Sequence, residues 1–319
     1  MLKNTFQHIP VLVGPAAEML VWNPSGLYVD GTLGGGGHAA AFLSRLDPSG
    51  QVIGFDKDVD AVAASKERFK DQSGHISIMH HDFMNIEELL TGLNIGMVDG
   101  VFLDLGLSSY QIDTPERGFS FMADGPLDMR MNQTETRSAS DIINRATEEE
   151  LKHILYDYGE ERLARPLAKA IIKSRQKATL QTTTNLVEII KAVVRHRPVI
   201  KTCARVFQAL RIAVNNELER LKSTLGSILP LLKPEGRLGI IAYHSLEDRM
   251  IKHTFREWAT NCTCPPGLPQ CVCQKEAYVT ILTKRPIRPI EHEILSNPRA
   301  RSAKLRMVEK LPGSSLKVA

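Results

Sequence analysis

Long apolar runs are what this sequence most plainly lacks. None approaches the roughly 20 residues that a bilayer-spanning helix needs, so no membrane partner is expected. Met1 to Trp22 also lacks the basic start, apolar core and small-residue cleavage site of a secretory signal, which predicts a cytoplasmic protein. Cysteine is scarce: of five in 319 residues, Cys203 stands alone and the others form Cys262-x-Cys264 and Cys271-x-Cys273. In a reducing compartment four clustered thiols suggest zinc more than disulfides. The spacing is not the usual Cys-x-x-Cys pair, so unliganded loop cysteines stand as the alternative. A bound ion would be structural, because four thiolates leave no open position. Acids are nearly missing from one stretch. Arg162 to Arg211 holds twelve Lys or Arg against Glu188 alone, a net +11; the chain is +4, so the remainder is −7. Such a concentration favours a polyanionic partner, because phosphate contacts release counterions; a solvated helix surface is the plainer account. The apolar fraction of 43% and charged fraction of 24% are ordinary for a soluble globular chain. The length allows one large domain with an insertion, or two domains.

What is present is organised around Tyr28–His38, Tyr-Val-Asp-Gly-Thr-Leu-Gly-Gly-Gly-Gly-His. An apolar strand from Leu27 to Val29 ends on Asp30, enters a loop with five glycines and leaves through an alanine-rich helical stretch, Ala39 to Leu46. This is the strand–loop–helix unit of nucleotide-binding α/β folds, in which residues without Cβ let a backbone turn tightly and approach a ligand. Gly34, Gly36 and Ala39 also fit the dinucleotide pattern G-x-G-x-x-A. Asp30 argues against a pyrophosphate, which it would repel, and for a ligand carrying an ammonium or sulfonium. Asp56 ends the next strand, Val52 to Phe55, 22 residues after Gly34, where a carboxylate is expected to receive ribose hydroxyls. An adenosine with a cationic tail satisfies both acids, and S-adenosyl-L-methionine is such a ligand.

Further strands are expected at Ile76–Met79 and Val98–Leu103, with helices at Val59–Lys70 and Ile86–Leu93. Alternation of this kind predicts a parallel α/β sheet with ligands beyond the carboxyl ends of its strands. Asp30, Asp56, Phe83 and Asp104 all fall at such ends. Leu107 to Thr136 is long, aperiodic and rich in Phe and Met, and is expected to be a lid or substrate-facing loop over the crevice. Helical stretches follow at 141–146, 148–158, 163–177 and 186–195, with another starting near Ala204. They predict an α-helical domain inserted over 138–211, between two segments of the α/β core, 1–137 and 212–319. Lys233 to Arg237 reads as a turn into a fifth strand, Leu238–Ala242, which presents His244. Ser245-x-x-Asp248 reads as a capping box. Tyr278–Leu282 and Ala303–Val308 are expected to pair antiparallel at the sheet edge. Between them lies a second basic group: Lys284, Arg285, Arg288, Arg299 and Arg301.

Taken together, Asp30-Gly-Thr-Leu-Gly-Gly-Gly-Gly-His38, Leu103-Asp-Leu-Gly-Leu-Ser-Ser109, Glu116-Arg-Gly-Phe-Ser-Phe121 and Asp124-Gly-Pro-Leu-Asp-Met-Arg130 resemble a known family. Tyr158-Gly-Glu-Glu-Arg162, Phe207-Gln-Ala-Leu-Arg-Ile212, His244-Ser-Leu-Glu-Asp-Arg249 and Asn297-Pro-Arg-Ala-Arg-Ser-Ala-Lys-Leu-Arg306 extend the match. The chain resembles the bacterial ribosomal RNA small-subunit methyltransferase H family. The resemblance implies a class I, Rossmann-like S-adenosylmethionine-dependent methyltransferase core interrupted by a helical domain. It implies methylation of cytosine N4 in the decoding region of 16S rRNA, with the small ribosomal subunit as partner. It also implies cofactor contacts at Gly36, Gly37, His38, Asp56, Phe83, Asp104 and Gln111. DNA amino-methyltransferases commonly carry Asp/Asn/Ser-Pro-Pro-aromatic after strand four; here Asp104-Leu105-Gly106-Leu107 lacks the prolines and the aromatic. Tyr110, Phe119, Phe121 or Tyr243 is expected to take the stacking role. Asp104 and His244 are the candidate catalytic residues, Asp104 first as a cofactor ligand. His244 is a candidate to position the substrate or remove a proton, against a structural histidine. Two other readings are an NAD-dependent dehydrogenase and a non-catalytic RNA-binding assembly factor.

Overall fold

The computed structural model describes residues 10–194, 198–264, 272–273 and 275–313, with the backbone alone at 109 and 110. The chain divides into two compact units, one of Met1–Gly106 with Arg220–Ala319 and one of Leu107–Glu219.

The first unit is built on seven strands: β1 (Leu27–Asp30), β2 (Gln51–Asp56), β3 (Ile76–His80), β4 (Val98–Asp104), β5 (Leu232–Ala242), β6 (Val279–Ile281) and β7 (Lys304–Lys310). Their order is β3-β2-β1-β4-β5-β7-β6; the first five run parallel, and β7 is antiparallel to both neighbours. This is the sheet of a class I methyltransferase, with the antiparallel edge expected from the sequence. β4 is central and buried on both faces, which is why Val98–Leu103 is nearly continuously apolar. Side chains alternate across the sheet. Val29, Ile53, Phe55, Val101 and Leu103 join one buried cluster, while Tyr28, Val52, Phe102 and Ile241 join another. Helices α1 (Val13–Leu20) and α2 (Gly37–Leu43) contribute Ala16, Leu20, Ala39 and Phe42 to the second cluster; α3 (Val59–Arg68) and α4 (Ile86–Gly92) complete the amino-terminal half. Asp58 caps α3 by accepting from Asp60 N, as its N-cap position favours.

The expected turn at Lys233–Arg237 lies inside β5. Val98 pairs with Leu232 and Gly100 with Arg237, so Lys233–Gly236 form a bulge in a longer strand. At this amino end of the sheet Asp99, 1% exposed, gathers four groups. Leu27 N (2.8 Å), Asn23 Nδ2 (2.9 Å) and Lys233 Nζ (2.7 Å) donate to its carboxylate, and Trp22 Nε1 (2.9 Å) to its carbonyl.

The second unit comprises α5 (Ser109–Asp113), α6 (Ala139–Arg145), α7 (Glu148–His153), a π-turn at Ile154–Tyr158, α8 (Ala164–Arg175), α9 (Thr183–Val194) and α10 (Val199–Asn215). It begins at Leu107 and ends at Glu219, where the sequence suggested 138 and 211. The difference has a physical cause. Phe119, Leu127, Met129 and Met131, in the stretch expected to be a lid, are buried in the core of this unit with Ile142, Leu167, Leu186 and Val206. Polar anchors fix that stretch. Arg117 Nη2 donates to the carbonyls of Arg130 (3.1 Å) and Met131 (2.9 Å). Asn215 accepts from Met131 N (2.7 Å) and donates to Met129 O (2.8 Å), holding Met129 at φ 61°. Gly118 is left-handed (φ 69°), and a Cβ there would lie 2.0 Å from Pro126 O, so only glycine fits.

The chain returns through α11 (Glu217–Leu231), α12 (Ser245–Ala259) and α13 (Glu291–Ser296). Among the described residues no helix is long and apolar enough to cross a membrane.

Candidate active site

Strand order reverses between β1 and β4, and a doubly wound sheet opens a crevice at the carboxyl ends of two such strands. Asp30 ends β1 and Asp104 ends β4, so both acids border that crevice; Asp56 ends β2, the next strand out. Asp30 is 1% exposed, and its Oδ2 is buried with no hydrogen-bond partner among the described residues. Its Oδ1 accepts from Thr32 N at 3.2 Å. Burial, reinforced by the charge of Asp56, pushes its carboxyl up to about 7. Asp104 is pushed up to about 8, by burial first and then by the charges of Asp30 and Glu247. Asp56 is also raised by burial, against the pull of two backbone amides, Gly34 N (2.8 Å) and Asp58 N (2.9 Å), that donate to its carboxylate.

Among the described residues none of these acids pairs with a lysine or arginine; the ion-pair partner of Asp104 is His38, Nδ1 to Oδ2 at 3.8 Å. His38 is 4% exposed, lies at the start of α2 and sits against Phe102, ring centroids 4.6 Å apart. Its Nε2 is 2.9 Å from Val11 O, a carbonyl that can only accept, so Nε2 carries a proton and donates, and Nδ1 is the ring nitrogen turned to Asp104. Tyr243 donates its hydroxyl to Asp104 Oδ1 at 2.9 Å, and its own proton is held well above the usual tyrosine range by burial and by Asp104. Its ring lies against Gly106, 3.3 Å from where a Cβ would stand. Tyr243 entered the sequence reading as one of several stacking aromatics; its bond to an acid 139 residues away had no local signal.

The glycine loop is turned inward. The amides of Gly31, Thr32, Leu33, Gly34 and Gly36 donate to Phe102 O, Asp30, Phe55 O, Asp56 and Leu33 O. A loop so engaged offers few donors to a pyrophosphate, which needs a row of them. Gly36 and Gly37 have a packing reason to be glycine: a Cβ would stand 2.4 Å from the Phe69 ring in one case and 2.5 Å from Pro10 in the other. Phe83 is half-buried beside Gly31, its Cβ 3.2 Å from where a Gly31 Cβ would be.

His244 and Gln111 both serve as local struts. His244 is the N-cap of α12, with Glu247 completing a capping box one residue earlier than the Ser245–Asp248 box expected. Its Nδ1 accepts from Glu247 N at 3.4 Å, and Glu247 accepts from Tyr243 N (3.0 Å) and His244 N (3.3 Å). Asp248 instead holds Lys304 (2.9 Å) and Arg306 (2.7 Å). Gln111, in the second unit, accepts from Ser108 N at 3.1 Å in the capping box of α5. Phe119 and Phe121 do not stand free for stacking, since Phe119 is buried and Phe121 packs edge-on against Phe207 at 5.5 Å. The side chain of Tyr110 lies outside the described residues.

The basic stretch sorts into two classes. Arg205 binds the fully buried Glu161, Nε to Oε2 at 2.7 Å; Arg211 binds Glu217 at 2.7 and 2.8 Å; Arg175 donates to the carbonyls of Ile143 and Ala146. These three hold the helices together. Arg165, Lys169 and Lys173 are exposed and four residues apart on α8, with Lys177 one step beyond its end, so they line one face. Arg195 and Arg197 lie outside the described residues. In the first unit Lys284, Arg285, Arg288, Arg299 and Arg301 are all exposed.

A family model described as the MraW methylase family matches residues 5–311. The chain belongs to that family. It is 46% identical over 310 residues to the ribosomal RNA small subunit methyltransferase H of Pelobacter propionicus, covering 96% of this chain and 99% of that protein. It is equally 46% identical over 308 residues to the protein of that name in Halothermothrix orenii, again covering 96% and 99%. Among solved structures, an rRNA methylase from Streptococcus thermophilus matches with a TM-score of 0.41 at 13% identity, over 98% of this chain and 99% of that one. In a methylase family on this sheet the methyl donor is S-adenosylmethionine. Asp30 and Asp104, with raised proton affinity and no lysine or arginine partner among the described residues, fit its positively charged tail.

Proposed function

We propose that the chain transfers a methyl group from S-adenosylmethionine to the exocyclic N4 of a cytidine in the decoding region of 16S rRNA, with the small ribosomal subunit as its substrate. The observation that carries the reading is the acid group at the sheet's switch point: among the described residues Asp30 Oδ2 is buried without a hydrogen-bond partner, and the carboxyls of Asp30 and Asp104 are held up near neutrality. A donor with an ammonium and a sulfonium supplies the missing positive charge. When bound, S-adenosylmethionine supplies an electrophilic methyl group on that sulfonium.

The chain's own residues do the rest. Asp56 receives the ribose hydroxyls. Asp30 and Asp104 face the cationic tail. Within the first unit Phe83, the backbone at Gly36 and Gly37, and His38 complete the donor contacts that the family resemblance implies. Tyr243 holds Asp104 Oδ1, and His244 acts through the cap: with Glu247 it fixes the turn that presents the Tyr243 hydroxyl. His244 is therefore a positioning residue. Its Nδ1 accepts from Glu247 N at 3.4 Å, and its Nε2 lies 3.1 Å from Glu247 Oε1, so both ring nitrogens face the cap. Of the two candidate catalytic residues, Asp104 is the acceptor nearest the crevice, and it holds the amine hydrogens once a bound cation has ionised it. The exposed row on α8 binds the phosphate backbone of the RNA. That the relatives are named ribosomal RNA small subunit methyltransferases supports the choice of acceptor.

The dehydrogenase alternative is disfavoured by the inward-turned glycine loop and by the antiparallel β7 beside β5, where a dinucleotide fold carries a parallel sixth strand. The deciding experiment is transfer of tritiated methyl to isolated small subunits and to free 16S rRNA, followed by nucleoside analysis. Label in N4-methylcytidine from the decoding region is expected. Label in another nucleoside, or none with either substrate, would overturn the reading.

A further inference from the structure

Between Ala259, the last residue of α12, and Val279, the first of β6, the chain makes an excursion whose described residues form neither helix nor strand. Its two ends meet in a 2.7 Å hydrogen bond from Tyr278 N to Trp258 O. Stretches of this kind need something to order them, and among the described residues of the excursion Val272 is 73% exposed. Three sulfurs converge instead. The Sγ atoms of Cys262, Cys264 and Cys273 all lie within 4.8 Å of one another. Each accepts a backbone amide: Cys264 N to Cys262 Sγ (3.4 Å), Val272 N to Cys264 Sγ (3.4 Å) and Thr263 N to Cys273 Sγ (3.3 Å).

Thiolates repel unless a cation sits among them. The separations also discriminate. A disulfide would bring two sulfurs to about 2.05 Å. Two thiolates on one tetrahedral zinc, each about 2.3 Å from the ion, stand about 3.8 Å apart. Cys262 Sγ and Cys273 Sγ are 3.8 Å apart.

We propose that Cys262, Cys264 and Cys273 ligate a structural zinc ion that orders the excursion between α12 and β6. Three thiolates fill three of the four tetrahedral positions, and soft sulfur donors select zinc over hard cations. Cys271 lies outside the described residues and is not part of the assignment. The site is at the opposite end of the sheet from the acids: Val279 pairs with Lys310, one residue beyond the Glu309 that pairs with Arg237 at the amino end of β5. Its role is therefore in stability, not in donor binding.

The test uses the full chain, purified without chelator and without a nickel column. Elemental analysis is expected to find about one zinc per chain. A mercurial titrant should release it, read with a metallochromic dye, and cobalt in its place should give the visible bands of a tetrahedral thiolate site. Cys262→Ser with Cys264→Ser should lose at least nine-tenths of the zinc. Removing zinc from the unsubstituted chain should lower its melting temperature while leaving S-adenosylmethionine affinity within twofold. Should the double variant fail to fold, zinc content and the cobalt spectrum of the unsubstituted chain still decide. A fully reduced chain without metal, a disulfide in the cluster, or iron with labile sulfide would each overturn the assignment.

Discussion

Donor binding should depend steeply on pH, and in an unusual direction for carboxylates. With Asp104 held up to about 8 and Asp30 to about 7, the donor-free chain keeps protons on both at pH 6. A cationic tail prefers them ionised, so binding must expel a proton. If Asp104 alone titrates, its ionised fraction grows on the order of twentyfold between pH 6 and 7.5, and donor affinity should rise by roughly ten- to thirtyfold over that range. The upper limit stays below about 7.7, where the donor's own amino group begins to lose its charge. Calorimetry at pH 6.5 in two buffers of different ionisation enthalpy should count about one proton released per S-adenosylmethionine bound if Asp104 alone titrates, and nearly two if Asp30 ionises with it. Adenosine is the control: it reaches Asp56 but has no cationic tail, so its affinity should stay nearly flat. The same acids set a second observable. In the unfolded chain both are ionised above about pH 5, so folding takes up protons, and the stability of the donor-free chain falls as pH rises from 5 to 8. Between pH 6 and 8 the loss should be about 2 kcal/mol from Asp104 and ~1 kcal/mol from Asp30. Equal pH slopes for S-adenosylmethionine and adenosine, or no proton release, would refute the electrostatic account of the site.

Other consequences can be checked separately. Asp56→Ala should weaken adenosine and S-adenosylmethionine alike, by about 1–3 kcal/mol in titration calorimetry, and unchanged affinity would remove the residue from the ribose site. Reversing Arg165, Lys169 and Lys173 together to Glu should cut binding to small subunits and lower the salt slope by about 2–3 while sparing donor affinity; retained RNA affinity would take α8 out of the interface. Arg205→Ala leaves Glu161 buried and uncompensated, so urea denaturation should show a loss of about 2–4 kcal/mol, whereas Lys191→Ala, an exposed pair with Glu188, should cost less than ~0.5 kcal/mol. His244→Asn, a residue that also caps helices, should keep much more transferase activity than His244→Leu; equal losses would mean that the imidazole itself takes part in the chemistry.

The parts of this molecule written in local periodicity were legible. Strands β1 to β4 fall within one or two residues of their expected ends: β1, β2 and β4 because a buried parallel strand is an apolar run that its terminal acid interrupts, β3 because it alternates up to His80. What escaped was decided by partners distant in the chain. Lys233-Pro-Glu-Gly236 reads as a turn by its own chemistry, yet pairing with β4 makes it a bulge. Leu107–Thr136 has no period because its Phe and Met side chains fill gaps between helices instead of following one face. His244 was missed as a cap because histidine is an uncommon one, and its neighbour Ser245 looked better. Counting charge could not separate Arg205, whose partner Glu161 is buried 44 residues away, from Lys169, which faces water. Of the expected site, the acids at the strand ends were legible because sheet topology alone fixes where they go. The hydroxyl of Tyr243 was not, since its role depends on a turn set by Glu247.

The two ends of the sheet differ in one respect that bears on how this chain can be altered. Asp99, at the lower rim, has a lysine of its own; Asp30, at the upper rim, has none. Asparagine at position 30 or 104 would lift a repulsion from the empty fold, so above neutral pH the substituted chain should melt later than the parent while gripping its cofactor poorly. A screen for heat-hardy variants would thus enrich for inactive ones.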